Sequence, residues 1–283
     1  MRYFAILFIF VSVLLCKSGE KIITLNEPLG DVTKMKVNVE FSMGQLLLEN
    51  GQDELAVTGY MKYHERFADA TLTYQEYSGT GILELETDVD LDWHGYSDSD
   101  DEKSNDCELY LNPTVPIDLN LDFGFGESRL NLGSLQISKL IIDSGLGETT
   151  IDFGDTRNPI ECEYIDVDTG LGSSILLNLG NSNAESMEFE CGLGSMELDF
   201  TGELLHDIEI NIAVGLGSIT IWIPEGTNTF FDYDGSFLAD IDLVNFQIIA
   251  EDEYRSVDYN PELPTLHFSA SVGAGNIEIN WKK

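Results

Sequence analysis

A single motif recurs along this chain and constrains its fold more than any other feature: Gly-x-Gly followed by alternating apolar residues. It reads GFGESRLNL from Gly124, GLGETTIDF from Gly145, GLGSSILLNL from Gly170, GLGSMELDF from Gly192, GLGSITIWI from Gly215 and GAGNIEINW from Gly273. A degenerate copy, MGQLLLE, begins at Met43. From Gly124 to Gly215 the first glycines are 21, 25, 22 and 23 residues apart, a period typical of stacked-repeat architectures.

The phase of the apolar residues says how each copy sits. Counting from the second glycine, positions −7, −5 and −3 are apolar or small, as in Leu119, Leu121 and Phe123 or Ile210, Ile212 and Val214. Positions +2, +4 and +6 are mostly apolar too, as in Ile219, Ile221 and Ile223. Period-two alternation predicts strands with one buried face. Positions −3 and +2 are separated by an odd step, so a straight strand would point them to opposite faces. Both face one core only if the chain bends at Gly-x-Gly, which glycine permits. The copy at Gly170 reads as shifted by one residue, to Ile175, Leu177 and Leu179, implying an extra bulge.

A lone copy cannot bury its apolar face, whereas copies stacked about 4.8 Å apart can. The connectors are short and turn-like, for example Gly180-Asn181-Ser182-Asn183, and no amphipathic helix separates the strands. The expected fold is all-β: a single-stranded parallel β-helix over residues 113–283, interrupted at 225–264 by a cap or flap over one solenoid face. Residues 19–112 are expected as an N-terminal β segment holding the degenerate first rung, with strands at 54–63 and 71–86 and a charged loop at 97–106.

Residues 1–18 differ from the rest. Arg2 precedes a nearly continuous apolar run from Phe4 to Leu15, and small residues flank a cleavage position ahead of Gly19, the pattern of a secretory signal. The run is short for a membrane span, and no later segment is long and apolar enough to be one. Lipid modification at Cys16 is the alternative, disfavoured by bulky Leu15 before it. Beyond this leader stand Cys107, Cys162 and Cys191, an odd number with no metal-site spacing. Pairing among them is left open.

The stretch LYLNPTVPIDLNLDFGFGESRLNLGSLQISKLIIDSGLGETTIDF resembles the bacterial toast-rack family, with Leu111-Asn112-Pro113-Thr114-Val115-Pro116-Ile117 preceding the glycine rungs. FSMGQLLLENG from Phe41 resembles the family's opening segment, and the likeness spans residues 30–281. The family is similar to the C-terminal domains of Lia-type envelope-stress regulators and to adhesin-like proteins. The resemblance implies a right-handed single-stranded β-helix in the bacterial envelope and transfers no catalytic residue. This chain departs from it in using Leu or Phe where Gly-Ala-Gly is common, and in its acidity.

With 51 Asp and Glu against 14 Lys and Arg, the formal charge is −37, which disfavours nucleic acid and anionic membranes as partners. In a stack, position −4 lines up Asp122, Asp143, Asp168 and Glu190. That column is the candidate metal site, with Ca²⁺ the cation that prefers several oxygen ligands. The competing reading is a solvated face, because exposed like charges at strand spacing repel by only about 1 kcal/mol in water. Trp222 stands at +5, in a column otherwise of Asp and Asn. It is the candidate partner-binding residue, unless 225–264 folds over it.

Catalytic signatures do not assemble. Gly-x-Gly never completes a dinucleotide fingerprint, His64-Glu65 has no second His at metalloprotease spacing, and Gly-x-Ser-x-Gly is absent. A polysaccharide-acting β-helix enzyme is the alternative, since paired acids hydrolyse glycosides. Between residues 113 and 224, however, the only basic residues are Arg129, Lys139 and Arg157, dispersed over different repeats. The sequence reads as a non-enzymatic exported envelope protein that binds another envelope protein or a glycan. It does not separate that reading from a purely structural spacer.

Overall fold

The computed structural model describes residues 19–89, 105–236 and 239–283, together with the backbone of 12–15. The rest of the expected leader, with Cys16, and residues 97–104 of the charged loop lie outside the described residues.

The Gly-x-Gly copies stack as expected. β3 (Lys34–Asn50), β8 (Pro116–Asn131) and β9 (Gln136–Asp152) run as unbroken strands through their glycines. Later copies divide at the corner into β10 (Ile165–Thr169) and β11 (Ser173–Leu177), β12 (Ser186–Cys191) and β13 (Ser195–Asp199), and β14 (Ile208–Val214) and β15 (Ser218–Pro224). All neighbouring copies pair in parallel, like position over like position. Inward residues form one continuous buried cluster running from Ile23 to Ile279. Each wholly buried aliphatic side chain contributes about 1.5–3 kcal/mol, enough in aggregate to offset chain entropy.

The phase change occurs at the glycines. In β8, Phe123 and Ser128 both point inward across Gly124-Phe125-Gly126. Gly126 has φ +132, and a Cβ there would lie 2.0 Å from the Gly44 carbonyl oxygen of the rung beneath. Only glycine allows both that torsion and that approach. The space inside the bend is narrow, and small hydroxyl residues fill it. Ser128 donates to Thr149 at 2.9 Å, Ser144 and Thr149 are 2.9 Å apart, and Thr169 and Ser174 are 2.7 Å apart, all buried.

This hydroxyl column corrects the reading of the Gly170 copy. Ser174 and Leu176 face the core, stacked on Thr149 and Ile151, while Ile175 and Leu177 are only half-buried. The extra residue is absorbed after the strand, where Asn178 adopts φ 59 and returns Leu179 to the interior. Ser174 takes an inward position because Thr169 satisfies its hydroxyl, so polarity alone misassigns its face.

Both ends of the stack depart from sequence order. At the C-terminal end, β20 (Thr265–Val272) and β21 (Asn276–Lys282) lie against β14 and β15. The preceding strands, β16 (Asn228–Gly235) and β17 (Asp240–Leu243), stack outside them. Residues 225–264 therefore form an additional rung rather than a flap over a face. They finish with the hairpin β18 (Phe246–Ala250) and β19 (Glu253–Ser256), where β19 runs antiparallel along β16. At the N-terminal end, β6 (Thr80–Val89) and β7 (Asp106–Leu111) flank β3 on the side away from β8. The strand expected over 71–86 is two strands: β5 (Ala68–Tyr77) turns at Ser78-Gly79 and runs antiparallel to β6. β4 (Leu55–His64) covers β7, β2 (Glu20–Pro28) covers β4, and β1 (Ser12–Leu15) pairs with β2, all antiparallel.

Buried asparagines pin the crossing segments. Asn112, fully buried, donates to the carbonyls of Gln52, Asp53 and Leu55, and its oxygen accepts from the Thr114 amide and hydroxyl. Asn228 does the same at the other end, donating to the carbonyls of Asn260 and Leu263 and accepting from the Asn260 amide. Cys107, Cys162 and Cys191 are free and buried. Burial pushes the Cys162 thiol up to about 12, so it stays protonated and packs as a small apolar group.

Candidate functional site

Outward positions of the solenoid form the columns expected from the repeat. Asp122, Asp143, Asp168 and Glu190 lie in register on successive strands. Glu40 of the degenerate copy, which falls in the same column by its position in the sequence, pairs with Asp122, and the structure adds one further acid, Glu86, beside Glu40. Glu86 was missed because its rung lacks the glycine corner, although the Leu83-Glu84-Leu85-Glu86 alternation marks it. The next outward column carries Asp166 beside Glu188.

Crowding along the column makes several of these carboxyls harder to ionise than free ones. Burial, then the neighbouring Asp168 and Asp122 charges, raises the Asp143 pKa. Burial also leads for Glu190, followed by Asp168, Glu188 and Asp166. Asp166 is raised by burial and by Glu188, offset in part by the Tyr164 hydroxyl. Tyr164 in turn donates to Glu188 at 2.7 Å. The carboxylates form a line rather than a cage. Among the described residues, no three His, Cys, Asp or Glu side chains gather so as to hold a metal ion.

Where the columns cross β14 and β20 the acids give way to Asn211, Ala213, Ser269 and Ser271. Glu188 on one flank and Asp232 and Asp234 on the other leave a shallow depression of about 280 Å³ between them.

Trp222 stacks between Asp199 and Asn280 at its outward position and is half-buried. Its indole nitrogen is enclosed and finds no hydrogen-bond acceptor. The Lys282 ammonium lies 5.8 Å from the ring centroid and reaches past it to Asp199 at 2.6 Å. Asp199, itself buried, also accepts from the Thr201 amide and hydroxyl. The cover over the indole thus includes the final strand, β21, which sequence reasoning had not considered for that role.

The basic residues of the repeat are not brought together. Arg129 pairs with Glu127 at 3.1 Å, and Arg157 with Glu203 at 3.0 Å. Among the histidines, His267 lies 3.9 Å from Asp207, and His206 contacts the Asp207 carbonyl. His94 lies outside the described residues.

Fold and surface together define a parallel β-solenoid with glycine corners, antiparallel end caps and an acid-lined outer face. The chain belongs to the toast-rack family: the model of the N-terminal domain of toast_rack (DUF2154) matches residues 16–176, more than half of it. No curated protein matches the sequence. Among solved structures, the chain is similar to "a putative cell adhesion protein" from Clostridium sporogenes ATCC 15579. The two share 20% identity over 93% of this chain and 99% of that one, with a TM-score of 0.48. It is also similar to "a putative adhesin" from Bacteroides fragilis NCTC 9343, at 14% identity over 92% and 97% of the two chains, with a TM-score of 0.38. Among the described residues, no helix is long and apolar enough to cross a membrane.

Proposed function

We propose that this is an exported envelope protein that works by binding: an interaction, sensing or adhesion module whose acidic solenoid surface engages a partner. The observation that carries the reading is the outward carboxylate column, held in register over six successive layers from Glu86 to Glu190. A sheet in which every rung is bonded to the next is a stiff frame, so these charges are presented in a fixed array. Such an array steers and selects partners bearing cations. Its members lie side by side on one face, whereas glycoside hydrolysis needs two carboxyl groups facing each other across the scissile bond.

The column concentrates cations, Ca²⁺ included, as a diffuse layer along its length. Calcium then raises the thermal midpoint no more than sodium chloride of matched ionic strength. A calcium-specific rise, lost in Asp143→Asn, replaces this reading with an ordered Ca²⁺ site.

The test of the main reading is affinity capture on the purified chain from cell-envelope fractions, read by mass spectrometry at low and high salt. Retention of a defined envelope protein or glycan at low salt, with release at high salt, is expected. Breakdown of an envelope polysaccharide in a parallel glycan screen overturns the reading in favour of an enzyme. Failure to retain any partner overturns it in favour of a structural spacer.

A further inference from the structure

The corner of the solenoid carries a feature that neither the fold nor the acidic face accounts for. The residue between the two glycines is Phe125, Leu146, Leu171, Leu193 and Leu216 in five successive rungs, and each is between 47% and 62% exposed. These five make up nearly half of the large apolar side chains that the described surface exposes. They are one continuous ridge. Phe125 pairs with Leu146, and the amides of Leu171, Leu193 and Leu216 each bond the first corner glycine of the rung before, at 2.8–2.9 Å. At about 4.8 Å per rung the ridge is about 19 Å long.

The fold does not require it. In the rung of β20 and β21 the same corner is Ala274, held by the same bond, from its amide to the Gly215 carbonyl at 2.8 Å. A continuous exposed apolar surface in a water-soluble rung is a liability unless something covers it.

Three observations say what would cover it. First, the ridge is bordered by acids along one side. Beyond the first glycine runs the column Asp122, Asp143, Asp168 and Glu190, beside four of the five corner residues, while beyond the second glycine stand Glu127, paired with Arg129, and Glu148, then Ser173, Ser195 and Ser218. Second, both flanks are glycine columns, so no outward side chain stands between the ridge and the acids beside it. Third, the corner amides are consumed by bonds from rung to rung. A strand therefore cannot add here through its backbone, and a segment that satisfies its own hydrogen bonds is needed.

We propose that this ridge docks a cationic amphipathic helix of a partner protein, its apolar face straddling the leucines and its Lys or Arg residues meeting the flanking carboxylates. A helix of about 13 residues spans the ridge. The proposal rests on the binding-module reading above and adds the surface and the chemistry of the partner.

The experiment measures binding of three synthetic helical peptides to the whole chain: one of Leu and Lys, one of Leu and Glu with the same apolar seam, and one of Lys with the seam replaced by Gln. The comparison variant carries Leu146→Ala, Leu171→Ala, Leu193→Ala and Leu216→Ala, a residue the Ala274 corner already tolerates. The Leu-Lys peptide should bind the wild type at least about tenfold more tightly than the variant, a loss of about 1.4 kcal/mol. The Leu-Glu peptide should not bind. Equal binding to wild type and variant overturns the proposal, as does equal binding of the seamless Lys peptide, which is attraction of polycations alone. Uptake by zwitterionic vesicles in place of the peptide overturns it in favour of a lipid surface. If the fourfold variant melts early, Leu193→Lys serves instead, expected to abolish Leu-Lys binding at an unchanged thermal midpoint. Retention of the envelope partner by the ridge variant sinks this inference alone, whereas loss of salt-sensitive capture by the wild type sinks the binding-module reading.

Discussion

The two ends of the stack solve one problem with unequal thoroughness. A parallel solenoid leaves an open strand edge at each end, which would template association with other chains. At the N-terminal end, β5 covers β6, while β4 and then β2 cover β7, and Met61, Leu72 and Tyr74 of these caps are buried. At the C-terminal end, β16 is covered by β19 and the short β18, and Val244, Ile248, Ile249 and Val257 remain largely exposed. Both caps are antiparallel because a hairpin closes an edge with a few residues, whereas another parallel strand needs a full circuit of the solenoid. The unequal burial leads to the expectation that the last rungs open before the first.

The largest test of that asymmetry removes one buried ring at each end. Phe41 stacks on Phe123 at 5.8 Å, and Phe268 packs between Phe200 at 5.3 Å and Phe231 at 5.4 Å. Each change to Ala should cost about 3–5 kcal/mol. Phe41→Ala should lower a single cooperative melt. Phe268→Ala should split the melt, with the amides of residues 228–282 exchanging first in hydrogen-exchange measurements. One undivided transition in both variants would break the comparison.

The asparagine clamps sharpen it at smaller scale. Asn112→Ala leaves three carbonyls and the Thr114 amide without their partner and should cost about 3 kcal/mol. Asn228→Ala strands fewer groups and should cost about 2 kcal/mol by chemical denaturation. Equal costs would mean that the two crossings are equally strained.

Trp222 probes how the last strand is held. Trp222→Ala should lower stability by about 1–3 kcal/mol and speed amide exchange across β21, since the indole backs Lys282. Lys282→Met should cost about 1 kcal/mol, less than a buried pair because the ammonium is substantially exposed. A neutral Trp222→Ala would return the indole to the role of a free contact surface.

The smallest effect lies between the ends, where neither cap reaches. Asp143, Asp166 and Glu190 bind their protons more tightly in the folded state than in the unfolded chain. Their stabilising effect is therefore complete below the ordinary carboxylate range and is lost as pH rises through the raised folded values. The thermal midpoint should climb as pH falls from 7 toward about 4. Asp143→Asn should flatten that climb and raise the midpoint at pH 7 slightly. An unchanged profile would show that this face is as well solvated as the ends.

Much of this molecule was written in local pattern. The alternation around each Gly-x-Gly identified the inward residues, the bend and the outward carboxylates, because facing depends only on neighbours along the chain and glycine alone tolerates the corner. The Gly170 copy escaped that logic: Ser174 goes inward because its hydroxyl pairs with that of Thr169, a contact made across the bend. Which segment lies beside which was decided by the tertiary structure. A strand edge accepts any strand of matching period, so nothing in the spacing says that β20 should slip between β14 and β16, or that β6 and β7 should lie outside β3. Those choices, and the Lys282 cover over Trp222 that follows from them, belong to contacts far apart in sequence, where burial and hydrogen-bond satisfaction of the whole stack select the order.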